Sequence, residues 1–212
     1  MENIPNNIIY ILSGIILTDG YINYHNNKNK IKHNNVYTEL NSRFYLKQSV
    51  NHTQYLLYVY NKLAHYCMHL PKLRKVYIKG KRFYCIEFYT RSLPCFTLLR
   101  QLFYNGRVKI IPSDIYDYLN YESLAHMIMC DGSLLKGGGI ILNLQNYTIK
   151  ELILLINVFN IKFNLNCILH KSKNRNTIYI KLESVKKLYK YIEPYLIEDM
   201  KYKFNYKLIE KE

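Results

Sequence analysis

Apolar positions along the 212-residue chain change period several times, and the changes mark its elements. Ile8, Leu12, Ile15 and Ile16 fall three and four apart, the spacing of one helical face, and Leu124 and Ile128 repeat it later. Tyr21 to His25 reads as a strand, followed by the polar loop HNNKNKIKHNN. Val36 to Gln48 then alternates, with Val36, Leu40, Phe44 and Leu46 on one face and Tyr37, Glu39, Asn41, Arg43, Tyr45 and Lys47 on the other. Helical spacing returns from His52 to Cys67 through Tyr55, Leu56, Val59 and Leu63. Two strands around a Lys79-Gly80-Lys81 turn and a helix from Leu93 to Asn105 follow.

The second half has the same plan. Leu124 to Cys130 is a helix, Gly137-Gly138-Gly139 a turn, and Ile140 to Gln145 a strand. Thr148 caps a helix running to Phe163. Strands over Cys167–Ser172 and Thr177–Glu183 flank Asn174-Arg175-Asn176, and Ser184 to Tyr195 closes the half as a helix. The expected fold is α+β, two αββαββα repeats at residues 1–105 and 122–212 joined by a linker at 106–121, where Ile111-Pro112 interrupts regular structure.

Along the hairpin strands, polar side chains alternate with apolar ones. Lys75, Tyr77 and Lys79 face away from Val76 and Ile78, and Glu87, Tyr89 and Arg91 from Ile86 and Phe88. Lys171 and Lys173, then Thr177, Tyr179 and Lys181, oppose Ile178, Ile180 and Leu182. One face goes to the helices; the other carries Lys, Arg, Tyr, Asn and Gln, side chains suited to phosphates and base edges. The charge sharpens this: 30 Lys and Arg against 15 Asp and Glu leave +15, and 23 tyrosines lie among them. Such a balance favours nucleic acid over a membrane. With 49% hydrophobic and 21% charged residues the chain is globular rather than disordered.

Five cysteines form no Cys-x-x-Cys pair, and with no secretory signal they read as reduced thiols. The apolar run from Ile8 to Leu17 is too short to span a bilayer. Abundant Asn, Ile, Lys and Tyr without Trp suggests an A+T-rich coding sequence, as in organelle genomes, and the N-terminus lacks the Arg-rich character of an import signal. A mitochondrial, organelle-encoded protein is expected.

The candidate chemistry lies in the nine residues Leu12–Gly20, LSGIILTDG, which recur in altered form as Leu124–Gly132, LAHMIMCDG. In each copy Asp-Gly ends a helix, with the Gly expected just past its C-terminus. A carboxylate at that negative end costs a few tenths to about 1 kcal/mol. A lone Asp-Gly is most simply a turn former; Asp19 and Asp131, at the ends of matched helices, call for a cation. Carboxylates beside unpaired carbonyls, here those of Thr18 and Cys130, form a hard-oxygen site for magnesium or calcium.

The two nonapeptides resemble the LAGLIDADG motif of homing endonucleases, in the two-motif, single-chain form of intron-encoded proteins. Leu12, Ser13, Gly14, Ile15, Ile16, Asp19 and Gly20 match the first copy; Leu124, Ala125, Ile128, Asp131 and Gly132 match the second. Leu17 and Thr18 fall where the motif varies, whereas His126 stands where it has Gly, which bears on the closeness of helix packing. The resemblance implies pseudo-twofold symmetry, motif helices packed side by side through Ser13, Gly14 and Ala125, and antiparallel sheets forming a DNA-binding saddle. It also implies one Asp per DNA strand and a double-strand cut leaving short 3′ overhangs.

Magnesium is the expected cofactor, with manganese substituting and calcium binding without turnover. Family members carry a Lys before Ile-Pro in the linker; here KIIP points to Lys109, and the matching position in PYLIEDMKYK is Lys203. Arg43, Lys47, Gln48, Asn143, Gln145 and Ser172 are further candidates for contacting DNA or ordering water near the cut. The expected partner is double-stranded DNA, with no membrane and no protein partner required. An RNA-binding maturase assisting splicing of the host group I intron is the alternative. A non-catalytic DNA-binding module is a third reading, but it would be expected to lose one Asp, and both are present.

Overall fold

The structure is a computed structural model and describes residues 3–24, 41–172 and 175–204. The chain divides into two compact units, one of residues 1–4 and 20–102, the other of residues 5–19 and 103–212. The division does not follow the sequence repeat, because the first motif helix packs into the second unit.

The first unit holds an antiparallel sheet of β1 (Tyr21–Tyr24), β2 (Ser42–Ser49), β3 (Lys72–Ile78) and β4 (Lys81–Tyr89), in the order β1-β2-β4-β3. Helices α2 (Thr53–Leu63) and α3 (Pro94–Phe103) supply the rest of its core. Ile22, Phe44, Leu46 and Phe88 share one sheet face with Tyr55, Leu56, Val59 and Phe96 buried about them. The strand at residues 42–49 matches the C-terminal part of the alternating run; residues 25–40, which include the HNNKNKIKHNN loop and Val36 to Leu40, lie outside the described residues. Lys79 and Gly80 both have positive φ, 48° and 76°, forming the two-residue hairpin turn that the sequence signalled.

The second unit repeats this with β7 (Gly132–Leu134), β8 (Ile140–Leu142), β9 (Cys167–Ser172) and β10 (Arg175–Ile180), in the order β7-β8-β10-β9. Helices α1 (Asn6–Ile16), α4 (Tyr121–Asp131), α5 (Ile149–Phe163) and α6 (Leu182–Ile192) accompany it. Each half is thus αββαββα with its sheet wound in the same order. Thr148 and Glu151 close a full capping box on α5, as the Thr cap leads one to expect. The last strand ends at Ile180, not Glu183: Lys181 has extended backbone angles and is the N-cap of α6, whose amphipathic register begins at Leu182. Two short elements escaped the sequence pattern, β7 and a hairpin whose first strand, β5 (Tyr104–Asn105), replaces the end of the expected helix and whose second, β6 (Val108–Lys109), lies in the expected linker. Both are too short to display a period. No helix among the described residues is long and apolar enough to cross a membrane.

A candidate metal centre between two helix ends

Helices α1 and α4 pack directly together. Gly14 is what allows it: a Cβ there would fall on the Ser123 carbonyl of α4. Ser13 and Ala125 are fully buried with it, and His126, the departure from Gly, is also fully buried within α4. Gly132 stands just past α4 as expected, without a left-handed backbone. Its φ of −71° suits any residue, but a Cβ would strike the Ile128 carbonyl. The Gly is required by close approach, not by backbone sign, and Gly20 likewise is not among the positive-φ glycines.

Each helix ends with carbonyls that need partners, and following them maps the site. At the end of α1 the Thr18 hydroxyl donates to the Gly14 and Ile15 carbonyls, at 2.9 and 3.2 Å. Tyr147 Oη donates to the Leu17 carbonyl at 2.9 Å. The Thr18 carbonyl itself accepts from Lys109 Nζ at 2.6 Å. At the end of α4 the Cys130 carbonyl accepts from Lys203 Nζ at 2.8 Å. The Asp131 carbonyl accepts from both the backbone N–H and the side-chain amide of Asn143, at 3.0 and 2.8 Å. The correspondence is close: in each motif, the residue before the Asp receives a lysine ammonium.

Both lysines are placed by their neighbours. Lys109 lies in β6, and the N–H of Ile111, two residues on, donates to Glu151 of the α5 capping box at 3.0 Å. Lys203 ends a 3₁₀ turn, Glu198–Lys203, anchored by the buried Met200 and by Phe204, whose ring meets Tyr189 edge-on at 5.5 Å. Lys203 is itself only 6% exposed, an unusual place for an ammonium unless anions are near.

The anions are Asp19 and Asp131. The Asp131 carboxyl is pushed up to about 7, by burial first and then by the charge of Asp19, against the opposing pull of Lys203 and Lys109. Lys109 is lowered to about 8 because burial outweighs the opposing pull of Asp131 and Asp19. Lys203 is lowered for the same reason, with Cys130, Asp19 and Asp131 opposing. Two carboxylates and two ammoniums therefore form one coupled cluster. A cavity of about 400 Å³ opens beside it, lined by Asp131, Ser133, Asn143, Tyr202 and Lys203 among others.

The donors suit a hard divalent cation. Two repelling carboxylates flank helix-end carbonyls, all of them oxygen, and the ammoniums stand as cations against those same carbonyls. The Thr18 and Cys130 carbonyls, read from sequence as extra ligands, each accept a lysine ammonium. No third His, Cys, Asp or Glu joins the carboxylates among the described residues.

The sheet faces regroup several of the residues read from sequence as DNA-facing. In antiparallel strands, directly paired residues share a face. In the first unit Tyr21, Arg43, Tyr45, Lys47, Arg74, Glu87 and Tyr89 lie on the face away from the core. Tyr21 and Tyr45 stack at 4.8 Å, and the Arg43 guanidinium lies 5.7 and 5.3 Å from the Tyr45 and Tyr89 rings. Arg74 pairs with Glu87 at 2.8 Å.

Lys75 and Tyr77 fall on the opposite face from Tyr89, because a two-residue turn pairs Ile78 with Lys81 and so sets odd residues of β3 beside even residues of β4. Lys79 is in the turn itself. Gln48 is buried on the core side, and Arg91, beyond the strand end, donates to the His65 and Tyr66 carbonyls at 2.8 and 3.4 Å. In the second unit Ser133, Ile141, Ile168, His170, Thr177 and Tyr179 share the outer face, whereas Lys171 pairs with Asn176 on the other. Lys181 caps α6, Gln145 is exposed in the turn before α5, Ser172 ends β9, and Lys173 lies outside the described residues.

Tyr147 and Ser133 were not singled out by sequence. Tyr147 is buried, which raises its hydroxyl well above the usual range, and it holds a motif carbonyl; among so many tyrosines nothing distinguishes it. Ser133 accepts the Asn143 amide at 2.8 Å and lines the cavity.

Residues 9–188 match the LAGLIDADG DNA endonuclease family, and the chain belongs to that family. It is 31% identical over 201 residues to the probable intron-encoded endonuclease 1 of Wickerhamomyces canadensis, covering 91% of this chain and 81% of that protein. It is also 31% identical over 168 residues to the cytochrome b mRNA maturase bI2 of Debaryomyces hansenii, covering 76% of this chain and 64% of the maturase. The chain thus spans under two thirds of that maturase's length. Its fold is similar to that of the homing endonuclease I-WcaI bound to its DNA recognition sequence, with a TM-score of 0.83 and 28% identity over 97% of this chain and 89% of the other.

Proposed function

We propose that the chain is a site-specific endonuclease that hydrolyses both strands of a long DNA duplex, one strand at each of Asp19 and Asp131, and leaves 3′ overhangs. The observation that carries the reading is the coupling of Asp19 and Asp131 within one cluster with Lys109 and Lys203, each lysine at the carbonyl preceding one Asp. Asp19 and Asp131 would hold magnesium, with manganese able to replace it and calcium binding unproductively, and a divalent cation there would supply Lewis-acid activation of water and neutralisation of negative charge. The Thr18 and Cys130 carbonyls carry second lone pairs and remain eligible ligands, in competition with the ammoniums already on them.

The chain's own contribution is to place groups. Lys109 and Lys203 stand at the two scissile positions as cations to stabilise charge or orient water. Asn143 fixes the backbone of Asp131, and Tyr147 fixes the turn that carries Asp19. Arg43, Lys47 and Tyr179, on outer sheet faces, meet phosphates and base edges. Organelle encoding fits the A+T-rich composition and the intron-encoded relative.

A second reading, host-intron RNA binding in splicing, is favoured by the relative named as an mRNA maturase. The deciding experiment is selection of cleaved sites from a host-gene DNA library in magnesium, repeated with Asp19→Asn and Asp131→Asn. Both variants should bind the selected duplex and lose the double-strand cut, each failing at its own strand; parental cleavage by both would refute the metal assignment.

A further inference from the structure

Three segments far apart in the chain close a circuit of hydrogen bonds around the first motif turn. Lys109 Nζ donates to the Thr18 carbonyl at 2.6 Å. Two residues beyond Lys109, the Ile111 N–H donates to Glu151 Oε1 at 3.0 Å. In the turn that leads into α5, Tyr147 Oη donates at 2.9 Å to the carbonyl of Leu17, the neighbour of Thr18. Residues 17–18, 109–111 and 147–151 are thus tied end to end by three bonds spanning 91, 40 and 130 positions. Asp19 follows directly on the first of these segments.

Both anchors beside α5 are themselves fixed. Glu151 Oε2 accepts from the Thr148 N–H and hydroxyl, at 2.8 and 2.6 Å, so the carboxylate cannot turn away from Ile111 without breaking the helix cap. Burial would raise its carboxyl, but the Thr148 hydroxyl, the Thr148 N–H and the Ile111 N–H outweigh it and keep Glu151 ionised. The bond to Ile111 is therefore charge-assisted. Tyr147 is buried, and its own N–H donates to the Leu144 carbonyl at 3.2 Å, which fixes the turn that aims its hydroxyl. Opening any link of the circuit lets Lys109 or the Asp19 turn shift, and a misplacement of about 1 Å at a reacting centre can cost about 10²-fold.

The other half-site is supported differently. Carbonyls at the end of α4 are taken by Asn143 and by Lys203. In the repeated plan α2 stands where α5 does, but its N-cap, His52, makes no side-chain cap bond, and Tyr55 occupies the position of Glu151. The circuit belongs to one half-site and not to the duplicated plan.

We infer that Tyr147 and Glu151 are positioning residues for one strand cut only: they hold Lys109 and the Asp19 turn in register, and the cut at Asp131 does not depend on them. Their role rests on the proposed nuclease reading and goes beyond it, because it makes the two cuts differ in what supports them. The test is single-turnover cleavage of the selected duplex in magnesium by the full chain, with a separate label on each strand. Lys109→Met identifies the strand cut at Asp19. Tyr147→Phe, which removes only the hydroxyl, and Glu151→Ala should each slow that strand about tenfold or more, leaving the other strand at the parental rate so that nicked duplex accumulates. Duplex affinity without metal should not change. Because either substitution opens the same circuit, the double variant should be slowed by less than the product of the two single effects. Glu151→Gln keeps an amide oxygen that can accept from Ile111, and it should recover most of the rate.

Equal slowing of both strands, or slowing that tracks a loss of duplex affinity, would assign the two residues to general stability and overturn the positioning role. Parental rates in both single variants, a double variant at the full product, or Glu151→Gln as slow as Glu151→Ala would overturn it too. A parental chain that cuts neither strand would refute the nuclease reading itself, and the positioning role with it.

Discussion

Lys109 Nζ lies 2.6 Å from the carbonyl oxygen of Thr18, the residue before Asp19, although the two are 91 positions apart in the chain. Lys203 holds the same relation to Cys130. If each lysine serves one strand, Lys109→Met should slow one cut and let nicked duplex accumulate, and Lys203→Met should slow the other. Each should cost about 10²–10⁴ in single-turnover rate, the range for a positioned proton-transfer or charge-stabilising group. Strand-specific end labels distinguish the two cuts. Loss of both cuts together in either variant would mean the two sites are not independent.

The Asp131 carboxyl gives a pH dependence with a definite sign. Its folded value, about 7, lies above its ordinary 3.8, so the fold prefers the neutral acid. No penalty exists below the ordinary value; it grows as pH rises towards about 7 and is constant above. In metal-free buffer Asp131→Asn should therefore be more stable than the parent at pH 8, by about 1–4 kcal/mol, with the difference shrinking as the pH falls towards 4. Urea unfolding at the two pH values measures it. Equal stability of the two proteins at pH 8 would contradict a strained carboxylate there.

Gly14→Ala puts a methyl where the Ser123 carbonyl lies. Alanine's better helix propensity, worth roughly 1 kcal/mol, should be outweighed as the helices are forced apart, for a net loss of about 1–3 kcal/mol. Gly137→Ala meets nothing within 4 Å and should change stability by less than about 0.5 kcal/mol. Thermal unfolding separates the two, and a neutral Gly14→Ala would show that close packing of α1 on α4 is dispensable.

The regrouped sheet faces distinguish residues that the sequence treated alike. Arg43→Ala and Lys47→Ala should weaken duplex binding, and a side chain that neutralises one phosphate should, once removed, lower the salt slope by about one. A side chain that reads a base edge would instead relax preference at one position and cost about 1–3 kcal/mol. Lys75→Ala and Lys171→Ala, on the opposite faces, should do much less. Binding isotherms at several salt concentrations decide it; the reverse ranking would place DNA on the other side of the sheets.

Some of the regrouping was legible in the sequence. Lys79-Gly80 marks a two-residue hairpin turn, and such a turn pairs its flanking residues directly, which already sets Lys75 against Tyr84 and not beside Glu87. Alternation alone says only that a strand has two faces. The burial of Gln48 and the capture of Arg91 by the His65 and Tyr66 carbonyls were not legible, because both depend on neighbours contributed by other elements.

The sequence by itself determined the repeated αββαββα plan, the motif helices and the positions of Asp19 and Asp131, and the family resemblance pointed to the two lysines that accompany them. These are local matters: periodicity, turn chemistry and a motif survive in any window that contains them. Only the tertiary structure decided that Tyr147 holds the Leu17 carbonyl, that Asn143 holds Asp131, and that Lys109 and Lys203 occupy the carbonyls read as extra ligands. It also decided that α1 belongs to the compact unit of the second half. Helix-end carbonyls must find donors, and which donors reach them depends on how distant segments pack, a condition that no single stretch of sequence records.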